Sequence, residues 1–323
     1  MTAATIGIDI GGTYTKFGLV AKDGSTLFQD KIPTQKYKDF RIFIRKLDEA
    51  IKEGINSIND DLTIIGVGVG APNANFYRGT IENAPNLPWK GIVPIVEIIE
   101  EDLGYKVVIT NDANAAAIGE MTYGSAKGMK DFIVITLGTG LGSGIVSNGQ
   151  LINGHDSIAG ELGHTLVTYN GRFCNCGKRG CLETYVSATG IKRTVYKLLA
   201  DYLEPSELRE ISFDDLSTKM ITEAAERDDI VALEAFEYTG RILGTKLSDA
   251  IQYTNPEAIF LLGGLSRAGK YIFKPTIEHM EKNLMPIFKG KVKVLPSGLE
   301  NQSAPIIGAA SLVWTYIIQE NPH

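Results

Sequence analysis

Residues 6–20 (IGIDIGGTYTKFGLV) and residues 133–146 (IVITLGTGLGSGIV) follow one plan: an apolar strand, a turn of small residues, and a second strand. An internal repeat of this kind fixes architecture before any single segment does, and it predicts two related halves. In the first copy the flanks alternate well enough for two antiparallel strands. Gly11, Gly12 and Thr13 are expected to supply the left-handed backbone of a hairpin between them. Asp9 ends the first strand, where a carboxylate can hold a divalent cation or its waters. Gly11, Gly12 and Thr13 would offer N–H groups and a hydroxyl without bulk, so a polyphosphate could come close. Thr15 and Lys16 add a hydroxyl and a cation just beyond. A plain glycine turn with a surface aspartate explains the first copy alone equally well. Its repetition at Gly138, Thr139 and Gly140 favours the phosphate reading.

Composition narrows the class. A chain of 323 residues with 44% apolar and 22% charged side chains has the length for about two domains with their own cores. The net charge of −6 argues against nucleic acid as a partner, because its phosphates would be repelled. No apolar run approaches the ~20 residues of a membrane span, and nothing resembles a signal peptide. A cytoplasmic location is therefore expected, without membrane association. In a reducing setting, three clustered cysteines point to metal rather than to disulfides.

Read in order, residues 25–32 continue the first meander, residues 39–58 form an amphipathic helix, and residues 62–70 form a buried strand. Gly66-x-Gly68-x-x-Ala71 matches a dinucleotide fingerprint, but Pro72 follows at once, so the match is fortuitous. Residues 71–89 are rich in Asn and Pro and read as a long functional loop. A helix over 93–103 and a strand over 106–110 lead to Asn111-Asp112, before a helix over 113–121. Asp112 suits two roles there, a helix N-cap or a general base.

Cys174-x-Cys176-x4-Cys181, with His164 upstream, supplies three thiolates and an imidazole, the ligand set of a closed structural zinc site. Three unrelated thiols would be the plainer explanation, and the tight spacing argues against it. Gly177 and Gly180 would let the chain turn back between ligands. Helices are expected over 184–200, 217–227, 229–253 and 273–284, with a polar surface excursion over 201–216. Gly240 and Gly244 are expected to mark close helix packing. Strands are expected over 258–262 and 291–295. Gly264-x4-Gly269-Lys270 imitates a P-loop, but Tyr271 stands where a hydroxyl should bind magnesium.

With NDANAAAIGE, AGELGH, CNCGKRGCLE and FLLGGLS following the two hairpins in order, nearly the whole chain resembles the ROK family (repressors, open reading frames, kinases). The family lies within the actin, Hsp70 and hexokinase class of ATPases. The resemblance implies a two-lobed α/β actin-like ATPase (ribonuclease H-like) fold, each lobe a mixed sheet flanked by helices, with a cleft between lobes. The small lobe would span 1–112, with a C-terminal helix (about 304–323) packing back on it. The large lobe (113–303) would hold the zinc motif and the adenosine site, with hinges near 110–115 and 301–308. The implied activity is ATP-dependent phosphorylation of a hexose, with glucose at its 6-hydroxyl the expected acceptor and Asp112 the base.

By position, Gly70, Ala71, Asn83, Asn111, Glu161, His164 and Glu183 would contact the sugar, and His164 would bind metal through its other ring nitrogen. Asp9, with Mg²⁺, and Gly11, Gly12, Thr13, Thr15, Lys16, Gly138, Thr139 and Gly140 would serve the phosphates of ATP. Gly263 and Gly264 would accommodate adenosine. A homo-oligomer, dimer or tetramer, is implied as well. Where some relatives carry Arg, this chain has Ala71, so an N-acetylhexosamine kinase is the nearer alternative. A non-catalytic sugar sensor is the remoter one. With the first hairpin starting at Ile6, no DNA-binding domain is expected before it, and Asp9, Lys16 and Asp112 are all present.

Overall fold

Alternating branched and aromatic residues pair β1 (Thr2–Ile10) and β2 (Tyr14–Ala21) antiparallel, with β3 (Thr26–Pro33) beyond β2. The computed structural model describes residues 2–58, 62–299 and 303–317. The chain divides into two compact units. Unit 1 comprises Met1–Met129, Gln150–Gly160 and Gly298–His323; unit 2 comprises Lys130–Gly149 and Glu161–Ser297.

In unit 1 the sheet order is β3-β2-β1-β4-β8, with β4 (Leu62–Gly70) and β8 (Val107–Thr110) parallel to β1. Ile6, Ile8 and Ile10 point to one face and pack with Phe17, Leu19 and the apolar stripe of α1 (Phe40–Asn56). Asp39 starts that helix by accepting the Ile42 amide at 3.0 Å. On the opposite face α8 (Ala304–Leu312) lies directly on the strands. A Cβ on Gly7 would collide with the carbonyl of Ile306, and one on Gly68 with that of Ala309. Gly68 therefore serves helix packing, which is why its dinucleotide-like spacing carries no ligand. The helix expected over 304–318 is α-helical to Leu312 and a π-turn over Val313–Ile317. The rest of the expected C-terminal helix, 318–323, lies outside the described residues, as do Asn301 and Gln302 of the expected hinge.

Residues 71–89 are not the structureless loop expected. β5 (Ala74–Asn75), β6 (Thr80–Glu82) and β7 (Ile92–Val93) form a small antiparallel sheet. Ala74, Ile81, Leu87 and Trp89 are buried, and Trp89 packs at a tilt of 49° against Phe43 while its Nε1 donates to the Tyr37 carbonyl at 3.0 Å. α2 (Ile95–Leu103) and α3 (Asp112–Thr122) complete this part, and the segment 150–160 opens with β11 (Gln150–Leu151).

Unit 2 repeats the plan. β9 (Phe132–Leu137) and β10 (Leu141–Ser147) are antiparallel, and β12 (Ala258–Leu262) lies parallel to β9 just as β4 lies parallel to β1. β13 (Lys293–Pro296) follows. The sheet packs on α4 (Ala188–Asp201), α5 (Thr218–Glu226), α6 (Ile230–Thr254) and α7 (Lys270–Asn283). Gly240 and Gly244 do mark close packing: a Cβ on either would strike Pro275 or the backbone of Thr276 in α7. The polar stretch 201–216 is more than a surface excursion, since Leu208 and Leu216 are buried in the core. Among the described residues no helix is long and apolar enough to cross a membrane.

Candidate active site

In unit 1 the candidate residues gather at the C-terminal ends of neighbouring parallel strands, where open α/β sheets bind ligands. Asp9 lies opposite Lys16 on β2 and opposite Gly70 on β4, and Gly70 lies opposite Thr110 on β8. Asn111 and Asp112 follow at once. Gly70 sits between the two acids: a Cβ there would be 3.8 Å from Asp112 Cα and 4.0 Å from Asp9 Oδ1. Any larger residue at Gly70 would fill the space between them.

The half-buried carboxyl of Asp9 is pushed up to about 6, first by desolvation, then by the negative charge of Asp112; Lys16 pulls it back. Asp112 is also raised by the density of protein around it, against hydrogen bonds from the Ala113 and its own backbone. The residue is nevertheless exposed to solvent. Asn111, and not Asp112, caps the helix that follows. The side chain of Asn111 accepts the Asn114 amide at 2.7 Å and is the N-cap of α3. Asp112 is the first helical residue, with one carboxylate oxygen on the Ala113 amide at 2.9 Å.

The turn after β1 departs from expectation. Among the described residues neither Gly11 nor Gly12 has left-handed backbone. These glycines serve close approach instead. A Cβ on Gly11 would lie 2.8 Å from the Tyr14 carbonyl, and one on Gly12 3.2 Å from the Asn86 carbonyl. The Gly11 amide is itself committed, donating to Tyr14 at 3.1 Å. Thr13 is exposed at the tip, but Thr15 is fully buried, and its hydroxyl pairs with that of Thr34 at 2.9 Å. It is therefore held in the interior rather than offered to a ligand. Gln35 went unnoticed in the sequence. Its Nε2 donates to the Gly12 carbonyl at 2.7 Å and the Asn86 carbonyl at 2.9 Å, pinning the turn from two distant segments. No local pattern announces such a contact. Ala71 is fully buried, whereas Asn83 is exposed and has left-handed backbone, with φ 50°.

In unit 2 the second turn closes through the Gly138 amide on the Gly140 carbonyl at 3.1 Å. Gly138 and Thr139 are exposed, and a Cβ on Gly138 would meet nothing within 4 Å. Gly140 is different, because a Cβ there would collide with Glu183 Oε2, which accepts the Leu141 amide at 3.1 Å. Gly263 stands at the adjacent strand end with φ 116°, so close that a Cβ would lie 2.6 Å from the Leu137 carbonyl. Gly264 faces the Thr218 hydroxyl across 3.7 Å from the same construction.

The Nδ1 or Nε2 atom of His164 and the Sγ atoms of Cys174, Cys176 and Cys181 lie within 4.8 Å of one another. Cys174 Sγ is 3.7 Å from His164 Nδ1, and Cys176 Sγ is 3.7 Å from Cys181 Sγ. A tetrahedral zinc with thiolates at roughly 2.3 Å needs ligand atoms about 3.8 Å apart. The donor set and spacing therefore fit zinc. Burial pushes the Cys174 thiol up to about 12, a cost that a bound cation would remove. Gly177 and Gly180 both have left-handed backbone, φ 89° and 79°, and make the turns between the ligands. Two acids flank this knot. Glu161 Oε2 is 3.8 Å from His164 Nε2, and Glu183 Oε1 is 3.6 Å from Cys174 Sγ. Arg172, also unforeseen, donates to the carbonyls of Thr184 and Gly190, both at 2.9 Å, and lies over the Tyr185 ring. It fixes the turn that carries Glu183.

Comparison with known proteins places this arrangement. The ROK family profile matches residues 5–315. A glucokinase of Thermotoga maritima is 36% identical over 310 residues, covering 95% of this chain and 96% of its own. A xylose repressor of Caldicellulosiruptor bescii is 28% identical, covering 95% of this chain and 77% of its own. Among solved structures, a ROK family glucokinase from Streptomyces griseus in complex with glucose and AMPPNP has a TM-score of 0.80 at 33% identity. It covers 97% of this chain and 99% of its own.

Proposed function

Because the chain belongs to the ROK family, we propose that it is an ATP-dependent hexose kinase that phosphorylates the 6-hydroxyl of glucose, with Asp112 as general base. The observation that carries the reading is the placement of Asp112. Asn111 caps the helix, and the exposed carboxylate of Asp112 stands at a strand end with a raised pKa. A base with a pKa nearer neutrality takes a proton more readily from a hydroxyl as that oxygen attacks the γ-phosphate.

Gly12, Thr13 and Lys16 would hold phosphate from unit 1, and Gly138, Thr139 and Gly140 from unit 2, with adenosine against Gly263 and Gly264. Asp9 would hold Mg²⁺, which supplies charge neutralisation on the transferred phosphoryl group. Its raised pKa suits that role, since a cation stabilises a carboxylate that burial and Asp112 otherwise penalise. The sugar would be held by Gly70, Asn83, Asn111, Glu161, His164 and Glu183. Zinc on His164 Nδ1 and the three cysteines would fix the tautomer that presents Nε2 toward substrate. A cytoplasmic setting belongs to this reading, because thiolate ligands need reducing conditions. Assembly into a dimer or tetramer rests on the resemblance alone.

A coupled ADP-release assay with Mg-ATP tests the reading against glucose, mannose, fructose, N-acetylglucosamine and N-acetylmannosamine. Turnover greatest with glucose, and lost in Asp112→Asn, is the expected result. Preference for an N-acetylhexosamine would replace the substrate. No turnover by a folded, zinc-loaded protein would overturn the enzyme and favour a sugar-binding regulator.

A further inference from the structure

Residues 150–160 belong to unit 1, although the chain on either side of them belongs to unit 2. Four interactions with residues 75–78 hold the segment. Asn75 Nδ2 donates to the Asp156 carbonyl at 3.3 Å, and Ser157 Oγ accepts the Phe76 amide at 2.8 Å. Tyr77 Oη donates to the Gly154 carbonyl at 3.0 Å, and Arg78 Nη1 meets Asp156 Oδ1 at 2.5 Å. Ser157 is buried with left-handed backbone, φ 62°, a conformation that a β-carbon disfavours and that surrounding contacts must impose.

Arg78 is the joint of this arrangement. Its Nε and Nη2 grip both carboxylate oxygens of Glu82, at 2.7 and 3.0 Å, while Nη1 reaches Asp156. Glu82 also accepts the Thr80 hydroxyl at 2.7 Å, and its carbonyl accepts Asn73 Nδ2 at 3.0 Å. Glu82 immediately precedes Asn83. One guanidinium therefore ties the segment 150–160 to the strand end that leads into Asn83. An isolated surface ion pair would count for little, but a planar fork shared by two carboxylates fixes geometry as well as charge.

We propose that Arg78 is a positioning residue for the acceptor sugar, holding the end of β6 that carries Asn83 against the segment 150–160 through Glu82 and Asp156. The assignment rests on the kinase reading above, in which Asn83 touches the sugar. Arg78 itself touches neither substrate. Its loss is felt in sugar binding and not in nucleotide binding.

The test compares wild type with Arg78→Met, Arg78→Lys, Asp156→Asn and the Arg78→Met/Asp156→Asn double variant. Glucose KM, ATP KM, zinc content and thermal midpoint are measured for each. Arg78 and Asp156 are each 49% exposed, so the variants should fold. In Arg78→Met the glucose KM should rise about tenfold, the scale of one lost charge-assisted interaction, with ATP KM and zinc content unchanged. Arg78→Lys should fall between, because an ammonium can meet one carboxylate but not bridge two. The double variant should be little worse than the worse single one, as expected for partners in one network. An active wild type whose glucose KM is unmoved in every variant overturns the assignment alone. So does an ATP KM that rises in parallel with the glucose KM. A wild type that phosphorylates no sugar overturns the kinase reading and this assignment with it.

Discussion

Asn111 accepts the backbone amide of Asn114 at 2.7 Å and so occupies the cap of α3, which leaves its neighbour Asp112 outside that role. Separation of the two duties predicts separable effects. Asp112→Asn should leave the thermal midpoint nearly unchanged and lower kcat by about 10²–10⁴, the usual contribution of a general base. Asn111→Ala should cost about 1 kcal/mol of stability as a lost cap. Denaturant unfolding beside steady-state kinetics separates them; equal loss of stability in Asp112→Asn would show that the carboxylate is structural.

Asp9 gives a pH-dependent prediction. Its folded pKa of about 6 lies above its ordinary value of 3.8, so the folded state holds a proton more tightly than the unfolded one. Relative to Asp9→Asn, the wild type therefore loses stability as pH rises from about 4 to about 6, and stays at that deficit above. Without magnesium, Asp9→Asn should be the more stable protein at pH 7.5 by on the order of 1 kcal/mol, after allowance for partial exposure. The difference should vanish below about pH 4. Thermal melts of both proteins across this range would show it. Adding Mg-ATP should reverse the order while the variant remains inactive. A variant less stable than the wild type above about pH 4 would mean that Lys16 more than compensates for burial.

The zinc knot yields a prediction about substrates. His164 turns Nδ1 to Cys174 and Nε2 to Glu161, so loss of metal should free the imidazole and reach the sugar before the nucleotide. Cys176→Ala removes the exposed ligand. It should lower bound zinc and raise glucose KM severalfold, with a smaller change in ATP KM. Metal analysis on the same samples as the kinetics is the check. Zinc lost with glucose KM unchanged would confine the metal to holding the loop.

What the sequence disclosed and what it hid divide along a physical line. The two hairpins, the cysteine cluster, and the helix starts at Asp39, Ser217 and Asp229 were legible. Each is written in neighbouring residues, through strand alternation, ligand spacing or a capping side chain. The small sheet in residues 71–93 was not, because strands of two or three residues have no measurable period. The purpose of Gly11, Gly12, Gly7 and Gly68 was hidden as well. All four are glycine because another backbone or loop lies against them, and only the fold says which one. Thr15 looked like a ligand from its position beside the turn. The pleat of β2 instead sends its side chain to the buried face, against Thr34. Gln35, Arg78 and Arg172 act on partners distant in sequence, at segments that nothing local connects.

The two glycines of the second turn should respond differently to one added methyl group. At Gly138 a Cβ meets no protein atom within 4 Å, so Gly138→Ala should fold with unchanged stability. If that space admits phosphate, the same methyl should raise ATP KM by about an order of magnitude through steric exclusion. At Gly140 the added carbon collides with Glu183 Oε2, the acceptor of the Leu141 amide. Gly140→Ala must therefore displace that carboxylate, which breaks a hydrogen bond and disturbs the turn holding Cys174 and Glu183 together. A loss of about 1–3 kcal/mol in stability is expected, with both glucose and ATP KM raised. Unfolding curves and two-substrate kinetics on the pair decide the matter. If Gly138→Ala binds ATP as the wild type does, that space is not used by phosphate. The nucleotide would then have to be held by the first turn and Lys16 without it.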